Sequence, residues 1–323
     1  MQDLAHLFKQ LQRNLRYNLQ AMASLSARSS TPARPDRRPP DKDDEDLKHT
    51  PAVSSLAKES GKQVCTVYSL EIKVSTSDTI KSVPGFLHTP QNYRHEQSQG
   101  REKTGAILLS GAAGGVVGPS SIYLSIADKV ASLKRGLPVL RLDYRYPARN
   151  RYCVSDVVAA MHYMQKGFAV SRFVLVGWSF GGAPVFTVGG QDDRVVGCAT
   201  VASQTADTGG IREVATKCTP VLLLHGLSDR TLSASCSESL DDKYRRYTRG
   251  GQSKLQLFEG DDHAFTKNSL TAEEMICDFI MKQAGEEIAQ AEQQSVVQKP
   301  LMSKEDRIKK MKEGGDMQDE SIE

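Results

Sequence analysis

Six short apolar runs, at residues 106–109, 139–142, 173–176, 195–201, 221–224 and 255–258, constrain this chain more than any other feature. Each has the length of a strand buried on both faces, and helical patterns lie between most of them. Ile122, Ile126, Val130 and Leu133 share one face of a helix expected over 122–133. A second helix is expected over 154–164, entered through Ser155 or Asp156 as its cap. Strands alternating with helices give a mostly parallel sheet with helices on both faces. Upstream, Val64, Tyr68, Leu70, Ile72 and Val74 sit two or four residues apart, which predicts a strand over 64–74. A short strand over 84–89 follows, and the turn chemistry around Ser77-Asp78 joins the two as a hairpin. The fold class is therefore α/β, with eight strands that open on an antiparallel pair.

The flanks differ in kind. Residues 26–60 are rich in Ser, Pro, Arg and Asp and carry the block Asp41-Lys42-Asp43-Asp44-Glu45-Asp46. Such a stretch buries too little apolar surface to offset the entropy of ordering it. Before it, Leu4, Leu7, Leu11, Leu15, Leu19 and Met22 form a helical stripe interleaved with Lys9, Arg13 and Arg16. Residues 1–61 are thus read as an amphipathic helix and a disordered linker, and 62–283 as one domain. Residues 284–323, rich in Gln, Glu and Lys, are read as a charged, partly helical or disordered tail, solvated rather than packed.

The chemistry concentrates at strand ends. Gly177-Trp178-Ser179-Phe180-Gly181-Gly182 follows the run 173–176 directly and precedes a helical stretch. In a nucleophile elbow the serine occupies a strained strand-to-helix turn whose flanking positions, here Gly177 and Gly181, must be small. A serine nucleophile needs a base, and the base needs an orienting acid. Asp229 lies just past the run 221–224, and His263 just past 255–258, in the chain order Ser, acid, His. Rivals exist: His225 as base, and Asp261, Asp262, Asp193 or Asp207 as acid. Asp229 is preferred on chain order, because Asp261 and Asp262 adjoin His263 too closely to approach its ring from the side. An oxyanion hole requires two backbone N–H groups. Phe180, after the nucleophile, offers one; Ala112, in Ser110-Gly111-Ala112-Ala113-Gly114-Gly115 after the third strand, offers the other. This Gly-rich loop lacks the Lys-Ser/Thr ending of a P-loop and the full dinucleotide spacing. The segment Arg141-Leu142-Asp143-Tyr144-Arg145-Tyr146-Pro147 ends the fourth strand at the same sheet edge, suited to pinning its own loop or to holding a substrate anion.

Through Gly177–Gly181, Asp229 and His263, residues 64–283 resemble the α/β-hydrolase superfamily. The resemblance is to its dienelactone hydrolase and prolyl-oligopeptidase-core branch. Only residues 202–220 separate the sixth and seventh strands, so no cap domain is expected. Dienelactone hydrolases proper carry a cysteine nucleophile; Ser179 here points to ordinary esters or thioesters. The resemblance implies a carboxylesterase-like serine hydrolase that acts on a small-molecule ester through an acyl-enzyme, without metal or organic cofactor. Two alternatives stand beside it: an idle hydrolase fold serving as a binding or scaffold protein, and a peptidase or transacylase using the same triad.

Composition excludes some classes. With 42 basic and 39 acidic side chains the formal charge is +3, which gives no reason to expect nucleic acid as a partner. No apolar run reaches the length of a membrane span, so no stable membrane insertion is expected. The six cysteines are scattered, without C-x-x-C pairs, and fit free thiols in a reducing compartment. A cytoplasmic location is expected; the basic N-terminal stripe makes a mitochondrial one the alternative.

Overall fold

The apolar runs pair into one eight-stranded sheet of order β1-β2-β4-β3-β5-β6-β7-β8. The computed structural model describes residues 65–75, 80–94, 102–145 and 148–316. The amphipathic stripe and acidic block expected over 1–61 lie outside these residues. The strands are β1 (Cys65–Ser75), β2 (Ile80–Pro90), β3 (Lys103–Leu109), β4 (Val139–Leu142), β5 (Val170–Trp178), β6 (Val195–Val201), β7 (Val221–Gly226) and β8 (Ser253–Phe258). β1 pairs antiparallel with β2, and β2 antiparallel with β4; every other pairing is parallel.

The central strands are apolar on both faces because both faces are covered. On β3, Ala106 and Leu108 face one core, and Ile107 and Leu109 the other. On β5, Val174, Val176 and Trp178 join the first core, while Phe173 and Leu175 join the second. Helices α1 (Ile122–Ser132) and α6 (Ser269–Gln283) supply the first core. Helices α2 (Asn150–Phe168), α3 (Gly182–Gln191), α4 (Ile211–Thr216) and α5 (Ser235–Tyr247) supply the second. Residues 202–220 hold only α4, and no cap domain interrupts the sheet there.

Two local expectations differ from the structure. α2 begins at Asn150, five and six residues before the expected caps Ser155 and Asp156. The Asp156 carboxylate is taken instead by Arg145, from its Nε at 2.7 Å and its backbone N–H at 3.0 Å. The C-terminal segment is also more than a solvated tail over its described part. Helix α7 (Lys304–Glu313) is capped by Ser303, whose hydroxyl accepts from the Asp306 N–H at 3.1 Å. It buries Arg307 and Met311 against the first core side. Arg307 meets Glu273 of α6 at 2.5 Å, and Lys129 of α1 meets the same carboxylate at 2.6 Å. Each buried charge thus has a partner, the condition under which charge is tolerated inside. Among the described residues no helix is long and apolar enough to cross a membrane.

Candidate active site

Parallel pairing brings the C-terminal ends of β3, β5, β6, β7 and β8 to one edge. Leu109 is in register with Gly177, Trp178 with Val201, and Gly226 with Phe258. The loops bearing Ser110, Ser179, Asp229 and His263 therefore leave the sheet on the same side. This is where an open α/β sheet forms its crevice.

Ser179 stands at the tightest point of that edge. Its φ is 53°, in the left-handed region that costs a non-glycine residue about 1–2 kcal/mol. Ser179–Gly181 form a single 3-10 turn that runs straight into α3. Only glycine fits two positions to either side of the serine. A Cβ on Gly177 would strike the Gly181 carbonyl, and one on Gly181 would lie 2.6 Å from the Ser110 carbonyl oxygen. The sharp turn leaves Ser179 nearly buried, at 5% exposure, with its carbonyl accepting from the Gln204 N–H at 3.3 Å.

Asp229 and His263 meet across two loops. His263 Nδ1 lies 2.7 Å from Asp229 Oδ2, and both residues are buried. The other oxygen, Oδ1, accepts from the backbone N–H groups of Thr231 and Leu232 at 2.9 and 2.8 Å. Burial by itself would raise the Asp229 pKa. Hydrogen bonds from His225 and His263, the His263 charge and the Leu232 N–H outweigh it and hold the carboxyl well below the usual carboxylate range. An ionised carboxylate only accepts, so His263 Nδ1 carries the proton and Nε2 is the basic nitrogen. Trp178 connects this pair to the elbow. Its indole packs on the His263 ring at 5.5 Å between centroids, and its Nε1–H donates to the His263 carbonyl at 3.0 Å. The residue before Ser179 thus fixes the loop that carries His263.

The Gly-rich loop after β3 makes a tight turn closed by the Gly114 N–H on the Gly111 carbonyl, at 3.1 Å. The Tyr144 hydroxyl donates to the carbonyls of Ser110 and Gly111. The Gly111 carbonyl and the Ala112 N–H belong to one trans peptide and point opposite ways. Tyr144 therefore turns the Ala112 N–H away from itself. The Tyr144 ring packs edge-on against Phe180 at 5.9 Å, so one side chain meets Phe180 and the carbonyl of the peptide that carries the Ala112 N–H. Beside Phe180 opens a cleft of about 650 Å³ whose walls include Arg149, Arg151, Thr187 and Asp207.

The sequence pattern of the dienelactone hydrolase family matches residues 145–299, which contain the elbow, Asp229 and His263. The fold is that of the α/β-hydrolases, and under half of the chain matches the dienelactone hydrolase family. That partial match supports an enzyme of hydrolase type. Among solved structures, the chain is similar to Est1E from Butyrivibrio proteoclasticus, at 15% identity and a TM-score of 0.50, over 68% of this chain and 99% of Est1E. It is similar to an Agrobacterium tumefaciens protein taken to be an α/β hydrolase, at 17% identity and a TM-score of 0.54, over 69% of this chain and all of that one. A third likeness is to the acylaminoacyl peptidase of Pyrococcus horikoshii, at 12% identity and a TM-score of 0.53; it covers 71% of this chain but only 44% of the peptidase. Compared by sequence with curated proteins, the chain has no match.

The rival residues are engaged elsewhere. Asp261 accepts from the N–H groups of Lys267 and Asn268, at 2.9 and 3.0 Å, ahead of α6. Asp262 accepts from Thr266, and Asp193 pairs with Lys217. His225 Nε2 lies 2.9 Å from the Leu232 carbonyl and 3.2 Å from Asp229 Oδ2. A carbonyl only accepts, so Nε2 carries the proton and Nδ1 accepts from the Ser237 hydroxyl at 2.7 Å. The imidazole of His225 braces Asp229, a contribution that its early place in the loop did not reveal. Arg145 is turned to Asp156 and the Tyr152 carbonyl, which pins the loop after β4.

A buried cluster of Cys65, His88 and Asp128 has ligand atoms within 4.8 Å of one another. It does not suit a metal ion. His88 Nδ1 is bonded to Asp128 at 2.7 Å, and its Nε2 accepts from the Arg141 guanidinium at 3.0 Å. Burial first, then the Arg141 charge, pushes the His88 pKa down. The ring is a neutral link between a cation and a carboxylate.

Proposed function

We propose that this protein is a serine hydrolase that cleaves a carboxylic ester or thioester through an acyl-enzyme. One observation carries the reading: a buried Asp229–His263 pair at 2.7 Å whose loop is bonded to the residue preceding a serine at φ 53°. In this reading His263, oriented by Asp229, takes the proton from Ser179 as its oxygen attacks the carbonyl carbon. Backbone N–H groups of Phe180 and Ala112 stabilise the oxyanion. Collapse of the tetrahedral intermediate expels the alcohol or thiol, protonated by His263. Water, deprotonated by the same imidazole, then releases the acid and restores Ser179.

A fluorophosphonate probe tests the nucleophile. Covalent labelling that maps to Ser179 and is lost in Ser179→Ala supports the proposal; unlabelled, folded protein overturns it in favour of an idle scaffold. A panel of p-nitrophenyl esters of increasing acyl length, with thioester and p-nitroanilide analogues, then defines the bond cleaved. Est1E has been observed with ferulic acid bound, so methyl ferulate belongs in that panel. The likeness to an acylaminoacyl peptidase is the reason for the anilide arm.

A further inference from the structure

The loop proposed to hold the oxyanion is not held by its own neighbourhood alone. Its later half, residues 115–118, turns a run of backbone N–H groups inward, and such a nest takes up acceptor oxygens. Asp316, three residues beyond α7, fills it. Asp316 Oδ1 accepts from the Gly118 N–H at 2.7 Å and from the Ser110 hydroxyl. Asp316 Oδ2 accepts from the Val116 and Val117 N–H groups at 3.1 and 3.0 Å. The carboxylate is fully buried. A Cβ on Gly115, whose φ is 99°, would collide with it, so the glycine there belongs to the same arrangement.

The loop is bracketed by this one side chain. Ser110 is the first residue after β3, and Gly118 the last before the 3-10 turn that leads into α1. Both bond to the same oxygen, and the turn carrying Ala112 lies between them. Other anchors come from the end of β4. Tyr144 takes the early carbonyls, Asp143 accepts from the Gly115 N–H at 2.9 Å, and Arg141 donates to the Val116 carbonyl at 3.0 Å. Asp316 itself is held by α7, whose Arg307 carbonyl accepts from Ser121 at 2.6 Å and whose Met311 sulfur accepts from the Ser120 N–H at 3.1 Å.

We infer that the C-terminal segment is part of the catalytic apparatus: Asp316 is a positioning residue that sets the shape of the oxyanion loop. The inference rests on the serine hydrolase reading above. Its chemistry is specific to a carboxylate. Asparagine at 316 would keep one acceptor oxygen and turn an NH2 group toward two of the donors that the second oxygen now satisfies. The loop would have to move to relieve them. Displaced oxyanion donors are felt chiefly in the transition state, so kcat falls and KM holds.

The test compares full-length Asp316→Asn with wild type and with Val297→Ala, a buried residue of the same C-terminal region whose carbonyl accepts from Lys129 of α1. Fluorophosphonate labelling counts competent Ser179, and p-nitrophenyl ester kinetics are expressed per labelled site. The expected result is a kcat lowered about tenfold or more in Asp316→Asn, with KM within about threefold, given the 10²–10³ typical of losing an oxyanion donor outright. Val297→Ala loses melting temperature but keeps kcat per site. Equal kcat per site in wild type and Asp316→Asn overturns the inference and leaves the hydrolase reading standing. A wild type that neither labels nor turns over overturns both. Should Asp316→Asn fail to fold, Ser110→Ala removes one of the four donors alone; a severalfold lower kcat at constant KM supports the role, and an unchanged kcat overturns it.

Discussion

The two halves of the candidate site are built by different means. The Asp229–His263 half is assembled from neighbouring loops of consecutive strands, β7 and β8. Its supporting bonds are short-range: Thr231 and Leu232 on Asp229, Leu232 and Ser237 on His225. The Gly-rich half follows β3, yet its carboxylate arrives from Asp316, about 200 residues later. A site can therefore be complete in its reactive side chains and still depend on a remote segment for the shape of its backbone donors. Chemistry on the first side is a matter of which groups are present. On the second it is a matter of where main-chain N–H groups are held.

That contrast orders the expected effects of substitution. The largest is Ser179→Ala, which removes the attacking oxygen while its turn stays the same size. Hydrolysis is expected to fall at least about 10⁴-fold in kcat, measured on a p-nitrophenyl ester, with the fold intact by circular dichroism. Next is Asp229→Asn. The two backbone donors on Oδ1 would keep the amide oxygen on their side and aim the NH2 at the histidines. His263 would then carry its proton on Nε2, the wrong nitrogen to accept from a serine. A loss approaching about 10⁴ in kcat is expected, with Ser179 present but unactivated. Retained activity would move the acid to another residue and break the comparison on its short-range side.

What the sequence displays follows the same division. Strand ends are legible because a doubly covered parallel sheet writes each strand as an unbroken apolar run, and the positions of Ser179, Asp229 and His263 are read relative to those ends. Strands β3 to β8 are anticipated from that patterning, and β1 and β2 from alternation and turn chemistry, to within a few residues. The His225 imidazole was harder to read: a histidine at a strand terminus carries no mark of which partner its ring will choose. Asp156 shows the converse. Its type and spacing suit a helix cap, but Arg145 competes for the carboxylate and wins. Asp316 was illegible. It sits in a Lys- and Glu-rich stretch whose composition is that of a solvated helix, and only Arg307 and Met311, four residues apart, hint at a buried face. Composition reports an average, whereas docking here rests on three side chains.

Titration sharpens the remote side. Burial first, against the hydrogen bonds of Ser110, Val117 and Gly118, pushes the Asp316 pKa up to about 7, with the nearby Asp143 adding to the rise. Arg141, Tyr123 and Tyr144 are the other titratable groups close enough to feel its charge. The unfolded chain loses this proton near the ordinary value of 3.8, and the folded chain keeps it to about 7. Between those values the folded state binds more proton, so the stabilising contribution is full below the lower one and is lost as pH rises through the upper. Urea melts at intervals from pH 4 to pH 8 should show wild type losing stability relative to Asp316→Asn, with a slope of at most about 1.4 kcal/mol per pH unit. Parallel curves for the two proteins would mean that Asp316 does not hold its proton in the fold.

The smallest expected effect lies where the two halves touch. Trp178 belongs to the elbow strand, yet its indole N–H holds the carbonyl of His263. Trp178→Phe keeps an aromatic ring beside the imidazole and removes only that bond. A buried carbonyl left without this donor costs about 1 kcal/mol of stability. The catalytic cost should be severalfold rather than many thousandfold, because Asp229 still orients the ring through Nδ1. The loss should fall on kcat, and alkylation of His263 by a chloromethyl ketone substrate analogue should slow in the same proportion. If Trp178→Phe instead matches Asp229→Asn in severity, the His263 loop is held mainly by the elbow and not by its own neighbours. The short-range half would then depend on the nucleophile strand for its geometry much as the Gly-rich half depends on Asp316.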